Sequence, residues 1–415
     1  MIKMREEKYN YIPSEVLLDP SLKRKLLSPR SVKAINNPKF LETVGGRGKI
    51  FDEFTLFFDV FVSGDGLSVF AIGPRNQDLK SFECLVLEPR SVKIDGAVEA
   101  GGIRFLLPKN LCDRDSFKVK IFYKKGRKTF ETPVLNPVKH REGARRFRLA
   151  VCAMIKSESY RLESWIEYYL RVGVEHFYIY DNRSGDAEDL YAVLDKYVRK
   201  GIVTLIYWPY AYGMYLDNAD LFGQIGAYSH CLNSYDVADW VVFCDVDEYF
   251  FPLKENSLLP FVDEAEKEGF NQVHAKWVFF GTDIRKDGFK KCEVRNFLRA
   301  INEEDPKEKF KVTYDVADLN YKCMDSDLAK SNSHLIIKSI VDARKISYTG
   351  VHYASSTDNR KRKFLPLDKL RVNHYNLGRF YGRIDNKESR IVFDDSLKRF
   401  YPKKSFWERL LGVFK

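Results

Sequence analysis

The chain has 415 residues, 45% of them apolar and 14% aromatic, enough for two or three domains with sizeable cores. Its net charge of +11 gathers at Arg141–Arg148, Lys286–Lys291, Arg360–Lys363 and Lys398–Lys404, which suits an anionic membrane or a phosphorylated substrate. No zinc finger, RNA-recognition signature or arginine-rich recognition helix is present, so nucleic acid is the first partner class excluded.

The seven cysteines are scattered, odd in number and free of any C-x-x-C pair. That pattern predicts reduced thiols, points to the cytosol, and argues against a structural zinc. The N-terminus is polar and shows no signal-peptide core. No apolar run reaches the roughly 18 residues of a spanning helix.

In chain order, residues 1–50 read as a polar arm with short helical pieces. From Phe51 the period changes. Thr55–Val62, a Gly64-Asp65-Gly66 turn and Leu67–Ile72 form a hairpin signal. Phe117–Ile121 alternates strictly and turns at Lys125-Gly126. Residues 51–135 therefore predict a β-rich, sandwich-like accessory domain with a structural or docking role, or one that binds carbohydrate or a partner. Residues 136–147 form a linker bearing Pro, Gly and Arg.

From 148 to 385 the pattern becomes α/β. Buried strands are predicted at Leu149–Ile155, Val174–Tyr180, Ile202–Trp208 and Trp240–Cys244. Helices lie between them, with Gly173 and Gly201 as stops. Such alternation predicts a mainly parallel sheet. A helix to Gly269 and a strand from Val273 to Phe280 follow, then a charged excursion over 283–330. Further strand-like pieces are Leu335–Ile340, Lys345–Tyr348 and Leu370–His374. The tail, 386–415, ends in Phe406–Lys415, which reads equally as an amphipathic interfacial helix or a docking helix.

The chemistry centres on Trp240–Cys244 running into Asp245-Val246-Asp247-Glu248. In extended backbone Asp245 and Asp247 share a face and Glu248 takes the other, where it braces the strand end. Paired carboxylates at the carboxyl end of a buried strand call for a hard cation, Mn²⁺ or Mg²⁺. A solvated acidic strand end is the plain alternative. Trp165 and Tyr169 read as core. His140 and His176 read as surface or packing residues, and His230 as a structural hydrogen-bonder.

A spaced series then carries a resemblance: Ala153–Glu158, Leu162–Tyr168, Gly173-Val174, Tyr178–Ser184, Gln224–Leu232 and the Asp245–Tyr249 strand end. In that order they resemble glycosyltransferase family 92 and its relatives in the family-2-like GT-A group, over roughly 148–380. The resemblance implies a GT-A (Rossmann-like) domain and an inverting transfer of a hexose, with galactose leading, from a UDP-sugar to a surface glycan or lipid-linked saccharide.

It further implies that Lys156, Glu158, Asp181, Asn182, Gln224 and Asp245 bind the nucleotide-sugar. Asp245, Asp247 and a late histidine, His374 ahead of His352, would complete the metal shell. For Asp181–Asp186 an Asx turn with a helix cap is the structural alternative. Trp277 would begin the acceptor side. Thr282–Asp287 stands where relatives carry a Ser/Gly-rich stretch ending in His. Asp283, then Asp287, is the candidate base. The enzyme is expected in the cytoplasm of a bacterium, peripheral on the inner membrane. The competing classes are a non-catalytic glycan-binding protein and a nucleotidyltransferase or phosphodiesterase using the paired aspartates.

Overall fold

The computed structural model describes residues 8–22, 55–73, 80–99, 101–112, 114–140, 147–210, 223–235, 238–281, 298–301, 337–346, 348–352, 354, 362–374, 390–393 and 396–400. The chain divides into two compact units. The first is Met1–Glu158, Glu175–Phe243 and Val341–Ser355; the second is Ser159–Val174, Cys244–Ile340 and Ser356–Lys415. The tail helix expected at Phe406–Lys415 and the excursion core lie outside the described residues.

In the first unit the β-rich segment makes two four-stranded antiparallel sheets. One runs in the order Lys128–Glu131, Lys118–Lys125, Lys80–Glu88, Val92–Asp95. The other runs Asp59–Val62, Ser68–Ile72, Gly102–Leu106, Ala97–Glu99. The hairpin expected around Gly64-Asp65-Gly66 forms, with Phe61 opposite Phe70. Its strands are apolar on both faces because each face meets a different core. Val60, Val62, Val69 and Ala71 pack among Val86, Phe105, Val119 and Ile121. Phe61, Phe70 and Ile72 point the other way, among Cys152, Tyr178, Trp208 and Tyr228. Side chains alternate along a strand, so Asp59 shares the second face with Phe61 and is fully buried there.

The α/β half of this unit holds four parallel strands in the order Val203–Tyr207, His176–Asp181, Phe147–Ile155, Ala238–Phe243. The sheet is buried on both faces, which is why its strands read as unbroken apolar runs. Two helices, Ala187–Arg199 and Gly223–Ser234, belong to it.

The N-terminal arm holds more than the sequence pattern suggested. Its described part contains a two-residue strand and a short 3₁₀ turn. Asn10 accepts the Leu205 N–H at 2.7 Å, and Tyr207 N–H donates to Tyr11 O at 3.0 Å. These contacts join residues far apart in sequence, so local periodicity carries no trace of them.

The second unit contains the helix Ser159–Arg171, the helix Leu259–Lys267 and a mixed sheet. Gln272–Gly281 runs parallel to Leu370–His374 and Arg362–Phe364, and antiparallel to Leu298–Ile301. Glu248–Pro252 pairs antiparallel with Leu370–His374. The helix expected directly beyond 253 starts only at Leu259, where Ser257 Oγ accepts the Leu259 N–H at 3.1 Å. Of the stretch Lys345–Tyr348, the described residues Lys345, Ile346 and Tyr348 are not in a strand. Asp342 side-chain and backbone oxygens take the N–H groups of Arg344 and Lys345, both at 3.1 Å, and turn the chain there.

Candidate active site

The buried strand ends at Phe243, and Asp245-Val246-Asp247 is a turn rather than extended backbone. The Glu248 N–H donates to Asp245 O at 3.0 Å, and the Asp245 N–H donates to Glu248 Oε2 at 2.9 Å. The alternation that set Glu248 on the face opposite the aspartates is therefore corrected. The bracing role proposed for it has a different geometry: its carboxylate reaches back and closes the turn.

Glu248 then opens the Glu248–Pro252 strand, whose register sets Glu248 opposite His374. That pairing brings His374 Nε2 to 3.5 Å from Asp247 Oδ2. Arg161 Nη1 lies at 3.5 Å from the same oxygen. Lys338 Nζ lies 3.1 Å from Glu248 Oε2 and 3.4 Å from Asp245 Oδ2. The Trp277 ring lies 4.5 Å from that of His374, tilted by 58°. Three carboxylates and three basic groups thus converge from four chain segments of one unit.

The helix Ser159–Arg171 pins this turn from beneath. Trp165 Nε1 and Tyr169 Oη donate to Glu248 O at 3.2 and 3.0 Å, and Tyr168 Oη donates to Phe250 O at 2.7 Å. All three rings are fully buried, as core residues should be.

Burial pushes the Glu248 carboxyl up to about 7, with the Lys338 ammonium working against it and Asp245 with it. For Lys338, burial favours loss of the proton, but Asp245 and Glu248 hold the ammonium above its ordinary value. Asp247 is penalised by burial yet sits below the usual carboxylate range, because His374, Arg161 and Lys338 favour its charge. His374 rises, since the Asp247 bond outweighs its burial.

The donor chemistry fits a hard divalent cation. Asp245 and Asp247 keep 31% and 19% of their side chains exposed, and His374 adds an imidazole nitrogen. Glu248 Oε1 is buried and has no hydrogen-bond partner among the described residues, while its Oε2 meets the Lys338 ammonium.

Apart from Asp245, the residues expected at the nucleotide belong to the first unit. Asp181 ends its strand and accepts the Tyr9 hydroxyl and the Ser184 N–H, the second at 2.9 Å. The Asx turn is therefore present. Asn182 Nδ2 donates to Trp208 O at 2.8 Å and Tyr210 O at 2.6 Å, a structural engagement. Gln224 is buried, with Nε2 at 3.0 Å from Tyr228 Oη. Lys156, Glu158 and His352 are half-buried. His176 packs between Phe147 and Tyr178, and His230 is hydrogen-bonded at both nitrogens. Asp283 and Asp287 lie outside the described residues.

Sequence reasoning missed Lys338 and Arg161. Lys338 left a signal: it is the one charge inside Leu335-Ile336-Ile337-Lys338-Ser339-Ile340-Val341, and a lone ammonium in a buried strand needs acidic partners. Arg161 left none, since an arginine early in an amphipathic helix reads as a solvated residue.

A helix-braced acidic turn facing basic groups, in a chain whose α/β half is parallel-stranded, suits an enzyme that handles an anionic substrate, and comparison with known sequences gives the class. The profile of glycosyltransferase family 92 matches residues 146–404, more than half of the chain, and the protein belongs to that family. A family 92 protein of Ricinus communis is 29% identical over 110 residues, 26% of this chain and 18% of that one. One from Oryza sativa subsp. japonica is 32% identical over 107 residues, 25% of this chain and 16% of that one. The Ricinus protein also aligns at 28% identity over 178 residues, 26% of its length, so the chain spans well under half of the relatives it matches. A crystal structure titled as a mycobacterial protein aligns at 18% identity over 34% of this chain and 43% of that one, with a TM-score of 0.22 that carries no argument. Among the described residues no helix is long and apolar enough to cross a membrane.

Proposed function

We propose that this chain is a glycosyltransferase that moves a hexose, galactose first among them, from a UDP-sugar to a hydroxyl of a surface glycan or lipid-linked saccharide, with inversion, on a GT-A-type domain. The observation that carries the reading is the Asp245–Asp247 turn with His374 set against Asp247 at 3.5 Å.

Asp245, Asp247 and His374 would hold Mn²⁺ or Mg²⁺, which supplies Lewis-acid stabilisation of the departing diphosphate. The chain's own groups prepare that corner. Lys338 and Arg161 hold the carboxylates in place and offset their charge, and the buried aromatic floor fixes the turn before any ligand arrives. In the transfer, the acceptor oxygen forms a bond to the anomeric carbon as the bond to the diphosphate oxygen breaks. The hydroxyl proton passes to a carboxylate, for which Asp283 and then Asp287 are the proposed bases. Asp181, Asn182, Gln224, Lys156 and Glu158 remain proposed contacts to the nucleotide, with Trp277 and His352 on the acceptor side. We place the enzyme in the cytoplasm, peripheral on an anionic membrane face.

Calorimetry of UDP binding with and without Mn²⁺ tests this, paired with a hydrolysis screen of UDP-sugars that needs no acceptor. Metal-dependent UDP binding and slow hydrolysis of one UDP-hexose are expected. UDP binding that ignores the metal, or none at all, defeats the reading.

A further inference from the structure

A second cluster of metal-ligating side chains lies in the first unit, on groups that the proposed transfer does not use. One ring nitrogen from each of His140 and His230 and a carboxylate oxygen of Asp59 all lie within 4.8 Å of one another. Asp59 opens the Asp59–Val62 strand, and His230 sits within the Gly223–Ser234 helix. His140 is carried in by a backbone pairing of Val62 with Val138, N to O 3.0 Å. The two-faced strand explains why the carboxylate is here. Asp59 is on the side of the strand that faces the aromatic core, where Phe61 and Tyr180 edge onto the His230 ring.

The surrounding hydrogen bonds are those of a held ligand set. Asp59 Oδ1 accepts the N–H groups of Ser14 at 3.1 Å and Val60 at 2.9 Å, which fixes the carboxylate plane. Asp59 Oδ2 faces His230 Nε2 at 3.1 Å and accepts the Tyr11 hydroxyl at 2.6 Å. His230 Nδ1 lies 2.8 Å from Tyr180 Oη and 3.2 Å from Ser234 Oγ. Both hydroxyls can accept an Nδ1–H, so the helix is prepared for the tautomer that leaves Nε2 as a lone pair.

A bare hydrogen-bonded pair accounts for Asp59 and His230. It does not account for His140. That imidazole packs its ring 4.0 Å from the ring of Tyr11 and 5.7 Å from that of His230. Its Nε2 is buried and has no hydrogen-bond partner among the described residues. Such orphans are rare in folded chains and call for an explanation.

We propose that Asp59, His140 and His230 form a structural site for a divalent transition metal of the zinc class, with the Tyr11 hydroxyl as the adjacent fourth donor. Two imidazole nitrogens and carboxylate oxygen are the ligand types zinc takes at about 2.0–2.2 Å. Donors around one such ion stand roughly 3.3 Å apart, so His230 and Asp59 are already at ligand spacing. His140 closes by up to about 1.5 Å to join them. The ion would tie the arm, the β-rich sheet, the segment after it and a helix of the α/β half into one unit. The cysteine pattern could not signal this site, because no cysteine belongs to it.

The test uses the full chain carrying Asp245→Asn and Asp247→Asn, so that the acidic turn contributes no metal signal. Elemental analysis after purification without added metal should return about one zinc per chain. Reconstitution with Co²⁺ should give the intense visible bands of a tetrahedral N/O site. Chelation should lower the melting temperature, and Zn²⁺ should restore it. His140→Ala should abolish the visible bands and the Zn²⁺-dependent gain. A folded chain that takes up neither Zn²⁺ nor Co²⁺ overturns the proposal, as does His140→Ala with an unchanged cobalt spectrum. If His140→Ala fails to fold, X-ray absorption on the cobalt-loaded His140-containing chain decides: two imidazole ligands support the site, and none refutes it.

Discussion

Glu248→Gln isolates the electrostatics of the acidic turn. The amide keeps the shape, and its carbonyl oxygen can still accept the Asp245 N–H that Glu248 Oε2 accepts at 2.9 Å. What changes is the charge. Burial lifts the Glu248 carboxyl from its ordinary 4.5 to about 7. A folded-state value above the unfolded one means that the folded chain holds this proton more tightly. The stability it contributes is complete below about 4.5 and is lost as pH rises through about 7. At roughly 1.36 kcal/mol per tenfold change, the full loss is about 3 kcal/mol. Gln cannot ionise, so the variant should gain on the parent by that amount across the window. Urea unfolding of both chains at about pH 5 and about pH 8 reads the difference. Parallel stability curves would refute the reasoning, because they would mean that Lys338 already outweighs burial and keeps Glu248 ionised throughout.

Lys338→Met strands Glu248 and Asp245 without their ammonium. Breaking a buried pair costs about 3–5 kcal/mol; proton uptake by Glu248 should soften this near neutral pH, and a loss under about 1 kcal/mol in urea would count against the pairing. Tyr169→Phe removes the hydroxyl that the Phe250 N–H reaches at 3.1 Å. Leaving that buried donor unpaired should cost about 1–3 kcal/mol of stability, and an unchanged urea midpoint would contradict it. Gly173→Ala should destabilise by more than about 1 kcal/mol, since its φ is +98° and an added Cβ would meet Ser257 Oγ at 2.7 Å; a melting temperature equal to the parent's would remove that strain argument. Asp247→Asn should lower UDP-sugar turnover at least about 100-fold, from several kcal/mol of lost stabilisation, while circular dichroism stays unchanged. Retained turnover would take Asp247 out of the chemistry.

The strands of the α/β half were legible because both faces are buried. Leu370–His374 appears with the bounds read from its apolar pattern, and the four parallel strands stand where the runs Leu149–Ile155, Val174–Tyr180, Ile202–Trp208 and Trp240–Cys244 put them, within a residue or two. What local pattern cannot carry is side-chain reach. The Asp245–Asp247 turn exists because Glu248 folds back onto the Asp245 N–H, and nothing in a period of two announces that. Likewise Tyr9 and Tyr11 look like polar-arm residues until the fold delivers Asp181 and Asp59 to their hydroxyls. The buried face of Asp59 could have been found. An acidic residue in Phe57-Phe58-Asp59-Val60-Phe61 is as conspicuous as Lys338 among isoleucines, and each turned out to face opposite charge or hydrogen-bond donors inside its own unit.

The two aspartates of the turn are not equivalent, and the difference comes from their neighbours. Asp247 is the more enclosed, 19% exposed, with Arg161 and His374 each 3.5 Å from the same oxygen. Asp245 is 31% exposed and faces the Lys338 ammonium at 3.4 Å, the longer end of ion-pair range, while its backbone N–H is tied to Glu248. A carboxylate held by two cations gives up little to a third, because Coulomb attraction is shared and the oxygen is crowded. A more open carboxylate can rotate toward an arriving ion at smaller cost. At the proposed cation site, Asp245 would be the entry ligand and Asp247 the fixed one. An Asp245→Asn change should weaken cation affinity mainly through slower capture, and Asp247→Asn mainly through faster loss. Stopped-flow Mn²⁺ binding separates the two, and equal effects on both rate constants would erase the distinction drawn from the geometry.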